Sequence, residues 1–484
     1  MIPLLACLLT LSLVSCVGLP PQDTQPAKTQ TPPSQTASPV SKAAEVPYVD
    51  KPVENVDALG ISHHVATQYW TWYTAGAQAT MWDGVKDGIP TAGYYSSYDP
   101  AVAATHISAM LANGIDVLSY GFLNQAGDQT MWDRDRIDND RAFREGAMKA
   151  SNFKSIKFNV GYDLATRAML VHQAENGLQW GKPEGSDILP GVKFFEPGVD
   201  AGPTKFDFPS FDFNLRDAGG AYIYDELLSY DFKYLAENYF NQPNYLTVDG
   251  APVVFLYASW RYNNSGSGGD ADAFARALLR VRNEVYEKYG LRLYIVGDFV
   301  SYYNKGRIAS LTERGYFGNY DAITGWNVYD DVYRGAFGDW TRLDSYTDVS
   351  KRVQEDFLSA AKIARRSYRD SLGGKAKTAY GPSTTSVDYL PVLSFSFRRH
   401  SLQDGFKAER GEDLVKELNM VKSLRERSQL AEEKATLVYQ IAWNQWNEGQ
   451  IIEPSVYDAK DTYPARTGTE YLRRMAEILG GGAR

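Results

Sequence analysis

Thr436-Leu437-Val438-Tyr439-Gln440-Ile441-Ala442 is an apolar run of strand length, and it breaks directly into Trp443-Asn444-Gln445-Trp446-Asn447-Glu448-Gly449-Gln450-Ile451-Ile452-Glu453-Pro454. This is a strand opening into a loop. Indoles, carboxamides and a carboxylate crowded into one short stretch make a poor core and a poor turn. They suit a surface that grips a sugar ring beside a proton donor.

Seven similar runs precede it: His64 to Tyr73, Ile115 to Gly121, Ile156 to Tyr162, Pro252 to Tyr257, Leu293 to Asp298, Ala322 to Asn327 and Leu390 to Phe397. Between and after them lie stretches with apolar residues at three- and four-residue spacing: Pro100 to Asn113, Asp138 to Ala150, Tyr224 to Phe240, Ala271 to Tyr289, Thr347 to Tyr368, Glu412 to Arg427 and Gly468 to Leu479, with Gly306 to Arg314 a weaker eighth. Strands apolar on both faces, alternating with helices, predict an α/β fold, a (β/α)8 TIM barrel with long βα loops. A doubly wound open sheet is the competitor. It is disfavoured by the count of eight and by the absence of a Gly-x-Gly-x-x-Gly after the first strand. The extra length falls in loops, notably Trp180 to Gly220 and Val328 to Tyr346.

The 484 residues are 44% hydrophobic with a net charge of -9, which excludes a phosphate-binding surface of clustered basic residues and hence a nucleic-acid partner. Both cysteines, Cys7 and Cys16, sit at the start. Ile2 to Val14 has the length of a signal-peptide core, too short to span a bilayer, and Leu13-Val14-Ser15-Cys16 resembles a bacterial lipoprotein signal. The reading is a signal peptide over 1–15, a Pro/Thr/Ser-rich tether over 16–46 and a single barrel domain over 47–484, monomeric. Lipidation of Cys16 would place the protein in the bacterial cell envelope, at the outer membrane or cell surface. An ordinary secretory signal is the alternative.

A barrel enzyme gathers its site at the C-terminal ends of the strands. Here those ends read Tyr69-Trp70-Thr71-Trp72-Tyr73, Ser119-Tyr120, Tyr162-Asp163, Tyr257-Ala258-Ser259-Trp260, Asp298, Trp326-Asn327, Arg398-Arg399-His400 and Trp443 to Glu448. Aromatics with scattered carboxylates and amides fit a carbohydrate cleft. Glu448 is the candidate acid, because an indole-lined environment raises a carboxyl pKa toward that needed to protonate a leaving oxygen. Glu453, before Pro454, reads as a capping or ion-pairing residue. The candidate sugar contacts are Trp72, Tyr120, Tyr257, Trp326, Asn327, His400, Trp443, Asn444, Gln445 and Trp446. No metal or cofactor is implied: the five histidines lack ligand spacing, and the acidic run Asp133 to Asp140 lacks the glycine and closing glutamate of a calcium loop.

The segment Trp443 to Pro454 resembles the Trp-Asn-Glu-Trp-x-Glu-Gly-x-x-Ile-Glu-Pro motif of glycoside hydrolase family 99 and its 71/99-like relatives. So do Tyr69 to Tyr73, Gly93-Tyr94-Tyr95-Ser96-Ser97-Tyr98-Asp99-Pro100, Ala112 to Val117 and Tyr239 to Val254, in order along the chain. The resemblance implies a (β/α)8 barrel, retaining endo-action on α-mannosidic linkages, and an acid/base role for Glu448. In the family the motif's first glutamate assists the neighbouring 2-hydroxyl, and here that position is Gln445. A carboxamide takes no proton at neutral pH, so that step cannot run through it. Three outcomes stay open: Asp163 or Asp298 partners Glu448, the activity differs or is feeble, or the cleft only binds glycans. The expected function is a surface lipoprotein glycoside hydrolase acting on polysaccharide. A non-catalytic glycan-binding lipoprotein and an enzyme of polysaccharide assembly are the alternatives.

Overall fold

The ring of strands closes through a strand that a proline divides. The computed structural model describes residues 63–75, 82, 89–123, 125, 138–164, 166–167, 213–217, 219–257, 259, 271–299, 305–325, 346–393, 396–397, 406–407, 419–424, 427, 436–440, 442–445, 450–456 and 472. The strands are β1 His63–Tyr69, β2 Val117–Phe122, β3 Lys157–Tyr162, β4 Ala251–Leu256, β5 Tyr294–Asp298, β6 Ala322–Thr324, β7 Asp388–Leu390 with its continuation Val392–Leu393, and β8 Thr436–Gln440. Each pairs in parallel with the next from β1 to β7, and β8 pairs in parallel with β1. Pro391 has no N–H to give a ladder, so β7 breaks there. Its first half pairs with β6 (Thr324 opposite Leu390) and its second half with β8 (Val392 opposite Tyr439). The barrel is thereby closed, as the alternation of runs predicts.

Several strand ends differ from expectation, the sixth and eighth stopping early at Thr324 and Gln440. β1 stops at Tyr69 rather than Tyr73, because the next residues leave the ladder to build the mouth. The last residues of the expected seventh strand, Ser396–Phe397, pair antiparallel with Phe406–Lys407 instead of continuing the barrel.

The helices are α1 Pro100–Ala112, α2 Asn139–Glu145, α3 Ile223–Leu235, α4 Ala271–Tyr289, α5 Lys305–Glu313 and α6 Tyr346–Ile363. Asp99 caps α1 through Ala101 N, with Pro100 at the first turn, and Asp138 caps α2 through Arg141 N. The second helix ends five residues earlier than its periodicity predicts. Gly146 passes so close to the Ser97 carbonyl that a Cβ there would sit 2.0 Å from the oxygen. The expected helix over 347–368 instead stops at Ile363 and is followed by two short ones, Tyr368–Ser371 and Gly374–Tyr380. Of Glu412 to Arg427, residues 419–424 are helical; most of Gly468 to Leu479 lies outside the described residues. Among the described residues no helix is long and apolar enough to cross a membrane.

At the strand N-termini, buried charge ties the barrel floor. Asp321, before β6, accepts from Arg282 (2.8 Å), Tyr368 (2.7 Å) and the Ile295 amide (2.9 Å), and Arg366 reaches Asp388 at 2.8 Å. Burial works against ionisation of Asp321, yet Arg282 and Arg366 hold its carboxyl below the usual range. Conserving the barrel shape, not chemistry, is what that face does.

On the outer side, Asp140 of α2 is buried and accepts from the phenols of Tyr120 (3.3 Å), Tyr234 and Tyr239. Burial outweighs these hydrogen bonds and pushes its carboxyl up to about 6. Unfolded, the group ionises near 4. The folded protein therefore holds the proton more tightly, and the stability this contributes is lost as pH rises from about 4 through about 6. At neutral pH the ionised form costs on the order of 3 kcal/mol. Asp140→Asn removes that titration, so the variant should gain on the wild type by up to ~3 kcal/mol between pH 4 and 7. Urea midpoints of both proteins across this range check it; a difference that stays flat with pH refutes it.

Candidate active site at the barrel mouth

The loop after β8 is a hairpin whose base is clamped from both arms. Asn444–Gln445 pairs antiparallel with Gln450–Ile451, and the amides of Ile452 (3.1 Å) and Glu453 (3.0 Å) both donate to the Trp443 carbonyl. Trp446, Asn447, Glu448 and Gly449, the tip, lie outside the described residues. The entering arm is tied to β1: Trp443 N donates to Gln68 O at 2.6 Å. Asn444 accepts from Trp70 N (2.8 Å) and donates to Trp70 O (2.9 Å) and to the Tyr95 hydroxyl (3.1 Å), while Tyr73 donates to its carbonyl at 2.5 Å. Its amide thus imitates a strand neighbour for Trp70, and none of it is exposed.

The leaving arm is held by buried polar side chains. Glu453 is buried, with one oxygen 2.9 Å from His106 Nε2 and the other accepting from the Tyr95 hydroxyl at 2.9 Å. His106 of α1 meets the Tyr69 hydroxyl through Nδ1 at 3.0 Å. Burial, with the Glu453 carboxylate beside them, pushes the Tyr69 and Tyr95 phenols well above their ordinary range, so both keep their protons. Pro454 O then accepts from Thr91 N, and Ser455–Val456 pairs with Ile89–Pro90.

Between β8 and this hairpin Ala442 adopts φ 39, a left-handed backbone that only a constrained site keeps for alanine. It breaks the two-residue alternation. Trp443 consequently packs on the His106 ring (centroids 5.8 Å) with no exposed surface, rather than lining the mouth.

Opposite, β1 ends in a tier of rings. Trp70 stacks on Trp72, centroids 4.2 Å apart and planes within 3°, and lies against Gly121 of β2. A Cβ at Gly121 would come within 2.6 Å of the Trp70 ring. Gly121→Ala should therefore displace the stack and cost about 1–3 kcal/mol, read as a lowered urea midpoint. An unchanged midpoint would show that the indole yields freely. The indole N–H groups of Trp70 and Trp72 have no hydrogen-bond partner among the described residues.

Two candidate carboxylates end strands of the same rim. Asp298 closes β5 with no exposed surface, in register with Thr324 of β6. Asp163 follows β3, is buried, and accepts from Thr166 N (3.0 Å) and Thr166 Oγ1 (2.9 Å), so any further duty there competes with capping. Tyr257, half-buried, follows β4, and Gln445 is buried at the hairpin base. Tyr120 does not reach the mouth: it stacks on Phe143 at 3.9 Å and donates to Asn139 at 2.8 Å. Trp326, Asn327, His400, Trp446, Glu448 and Cys16 lie outside the described residues. Sequence reasoning did not choose Trp70, Tyr95 or His106 as site residues. Trp70 and Tyr95 stood in segments it had singled out, whereas His106, inside α1, carried no signal.

No protein-family profile matches the chain, and no curated protein matches it in sequence. Among solved structures, a protein described as glycoside hydrolase-like is 16% identical, with a TM-score of 0.50 over 87% of this chain and 95% of its own. The two share the α/β barrel fold. A GH99 endo-alpha-mannosidase from Bacteroides thetaiotaomicron is 13% identical, with a TM-score of 0.46 over 86% of this chain and 97% of its own. A Bacteroidetes-affiliated GH5 cellulase is 10% identical, with a TM-score of 0.42 over 90% and 96%.

Proposed function

We propose that the chain is a glycoside hydrolase of the bacterial envelope that cleaves polysaccharide, with Glu448 as general acid/base and Asp298 or Asp163 as the partner carboxylate. The observation that carries the reading is the mouth itself. The Trp70–Trp72 stack, half-buried Tyr257 and two carboxylates follow the C-termini of barrel strands, as does the clamped hairpin whose two arms flank Glu448 in the sequence. Indole faces take the apolar side of a sugar, and of the two rings Trp72 is the half-buried one. The motif likeness to family 99 supports an endo-acting mannosidase-like enzyme as the specific form. Attachment through Cys16 would put the barrel at a surface where polysaccharide is met.

Gln445 favours a second reading, a glycan-binding lipoprotein without turnover, since the carboxamide lacks the proton chemistry of the motif's glutamate. Both are tested by incubating the protein with a panel of bacterial and fungal polysaccharides, measuring new reducing ends and, in parallel, retardation in glycan-containing gels. Reducing ends support hydrolysis. Retardation without release supports binding alone, and neither response removes both readings.

A further inference from the structure

We infer that the buried His106–Glu453 pair is a positioning device for the hairpin that carries Glu448. The inference rests on the proposed acid role for its functional consequence, but not for its structural one.

Three elements meet at this pair. His106 comes from α1, Tyr95 from the segment before it, and Glu453 from the leaving arm of the hairpin. The contacts run in a chain: the Tyr69 hydroxyl meets His106 Nδ1, His106 Nε2 lies 2.9 Å from one Glu453 oxygen, and the Tyr95 hydroxyl donates to the other. Asn444 in turn gives to the Tyr95 oxygen. One tyrosine therefore joins the two arms, because its hydroxyl accepts from the entering arm and donates to the leaving one. A hairpin with both arms bound to the same hydroxyl cannot shear without breaking a bond inside protein, where no water replaces it.

Nothing in this cluster is exposed enough to meet a substrate: His106 and Glu453 each have 3% of their surface accessible, Tyr69 3% and Tyr95 4%. A buried carboxylate between a hydroxyl donor and an imidazole is costly to assemble and needs a return. The return here is the fixed separation of two arms. Their four-residue connection includes the acid, and a proton donor loses effectiveness steeply when it drifts by about 1 Å. The pair acts on chemistry through geometry, so His106 and Glu453 are positioning residues.

The test uses the full chain and two independent readouts. Hydrogen–deuterium exchange of the peptide over 444–452 reports the arms directly, whatever the protein's activity. In His106→Ala we expect exchange there to rise at least tenfold while peptides from β2 to β5 keep wild-type rates. His106→Gln can place an amide N–H where Nε2 stood, and should restore most of the protection. Tyr95→Phe deletes a single hydroxyl and gives an intermediate rise, which keeps the question open to measurement if His106→Ala fails to fold. On a polysaccharide that the wild type cleaves, kcat should fall about 10- to 100-fold in His106→Ala with KM within about threefold, and recover in His106→Gln. Unchanged exchange over 444–452, or a rise spread evenly over the barrel, overturns the inference and makes the pair an ordinary part of the core. A local rise in exchange in a protein that cleaves no glycan upholds the positioning and removes the glycosidase reading instead.

Discussion

Glu448→Gln is expected to lower polysaccharide cleavage about 100- to 10,000-fold, the range that a positioned general acid contributes. The substitution keeps the shape of the side chain and removes its proton. Because Glu448 sits between the paired arms Asn444–Gln445 and Gln450–Ile451, the swap leaves every clamp at the hairpin base in place. The urea midpoint should therefore match the wild type. A second signature separates a lost acid from a disturbed cleft. Glycosides whose leaving group departs without protonation, such as glycosyl fluorides, should lose far less activity than the polysaccharide. KM for the polysaccharide should change little, since the missing interaction belongs to the transition state. Cleavage of polysaccharide that survives the change at the wild-type rate removes Glu448 from the mechanism.

Asp231→Ala should be the most destabilising single substitution among those considered, by about 3–5 kcal/mol. Asp231, on α3, faces Arg167 with neither side chain exposed, and the guanidinium reaches it at 2.8 Å through Nε and 2.7 Å through Nη2. It also accepts from the Tyr162 hydroxyl (2.6 Å) and from Gln125 (2.7 Å). Removing the carboxylate takes the bidentate acceptor from a buried cation and the acceptor from two further donors at once. The loss extends to the mouth, because Arg167 lies in the turn that Asp163 caps and Gln125 follows β2. Urea denaturation gives the magnitude, and Asp231→Asn, which keeps one acceptor but not the charge, should fall between. A loss below about 1 kcal/mol for the alanine variant would mean that water enters and solvates Arg167.

The barrel was legible because parallel strands buried on both faces leave continuous apolar runs, and eight of them alternate with amphipathic stretches. Chain order then fixed strand order, as right-handed crossovers between neighbours require. The break at Pro391 was visible as a residue but not as a device, since only pairing shows that the two halves serve different neighbours. At the strand ends the residue types were legible and their contacts were not. Asn444 beside tryptophan reads equally well as a sugar contact or as a strut, and its partners are the backbone of Trp70, 374 positions away. Trp443 reads as cleft lining until the φ of Ala442 turns it toward His106. The Glu453–His106 contact joins residues with no sequence pattern between them, and no spacing rule could have found it. Buried polar networks are satisfied by whatever side chain the fold brings near, so they are written in three dimensions only.

The divided strand at Pro391 has a consequence for how the ring can go wrong. Because β6 reads three residues on one side of the imide and β8 reads two on the other, a slip of one position at either seam drags the opposite seam with it. Every misthreading must then be wrong twice, and turn both half-strands inside out at the same moment. A cylinder locked this way discards near-miss closures without any extra stabilising contact. That leaves the rim at its other end free to carry a left-handed alanine and indole N–H groups with no partner among the described residues.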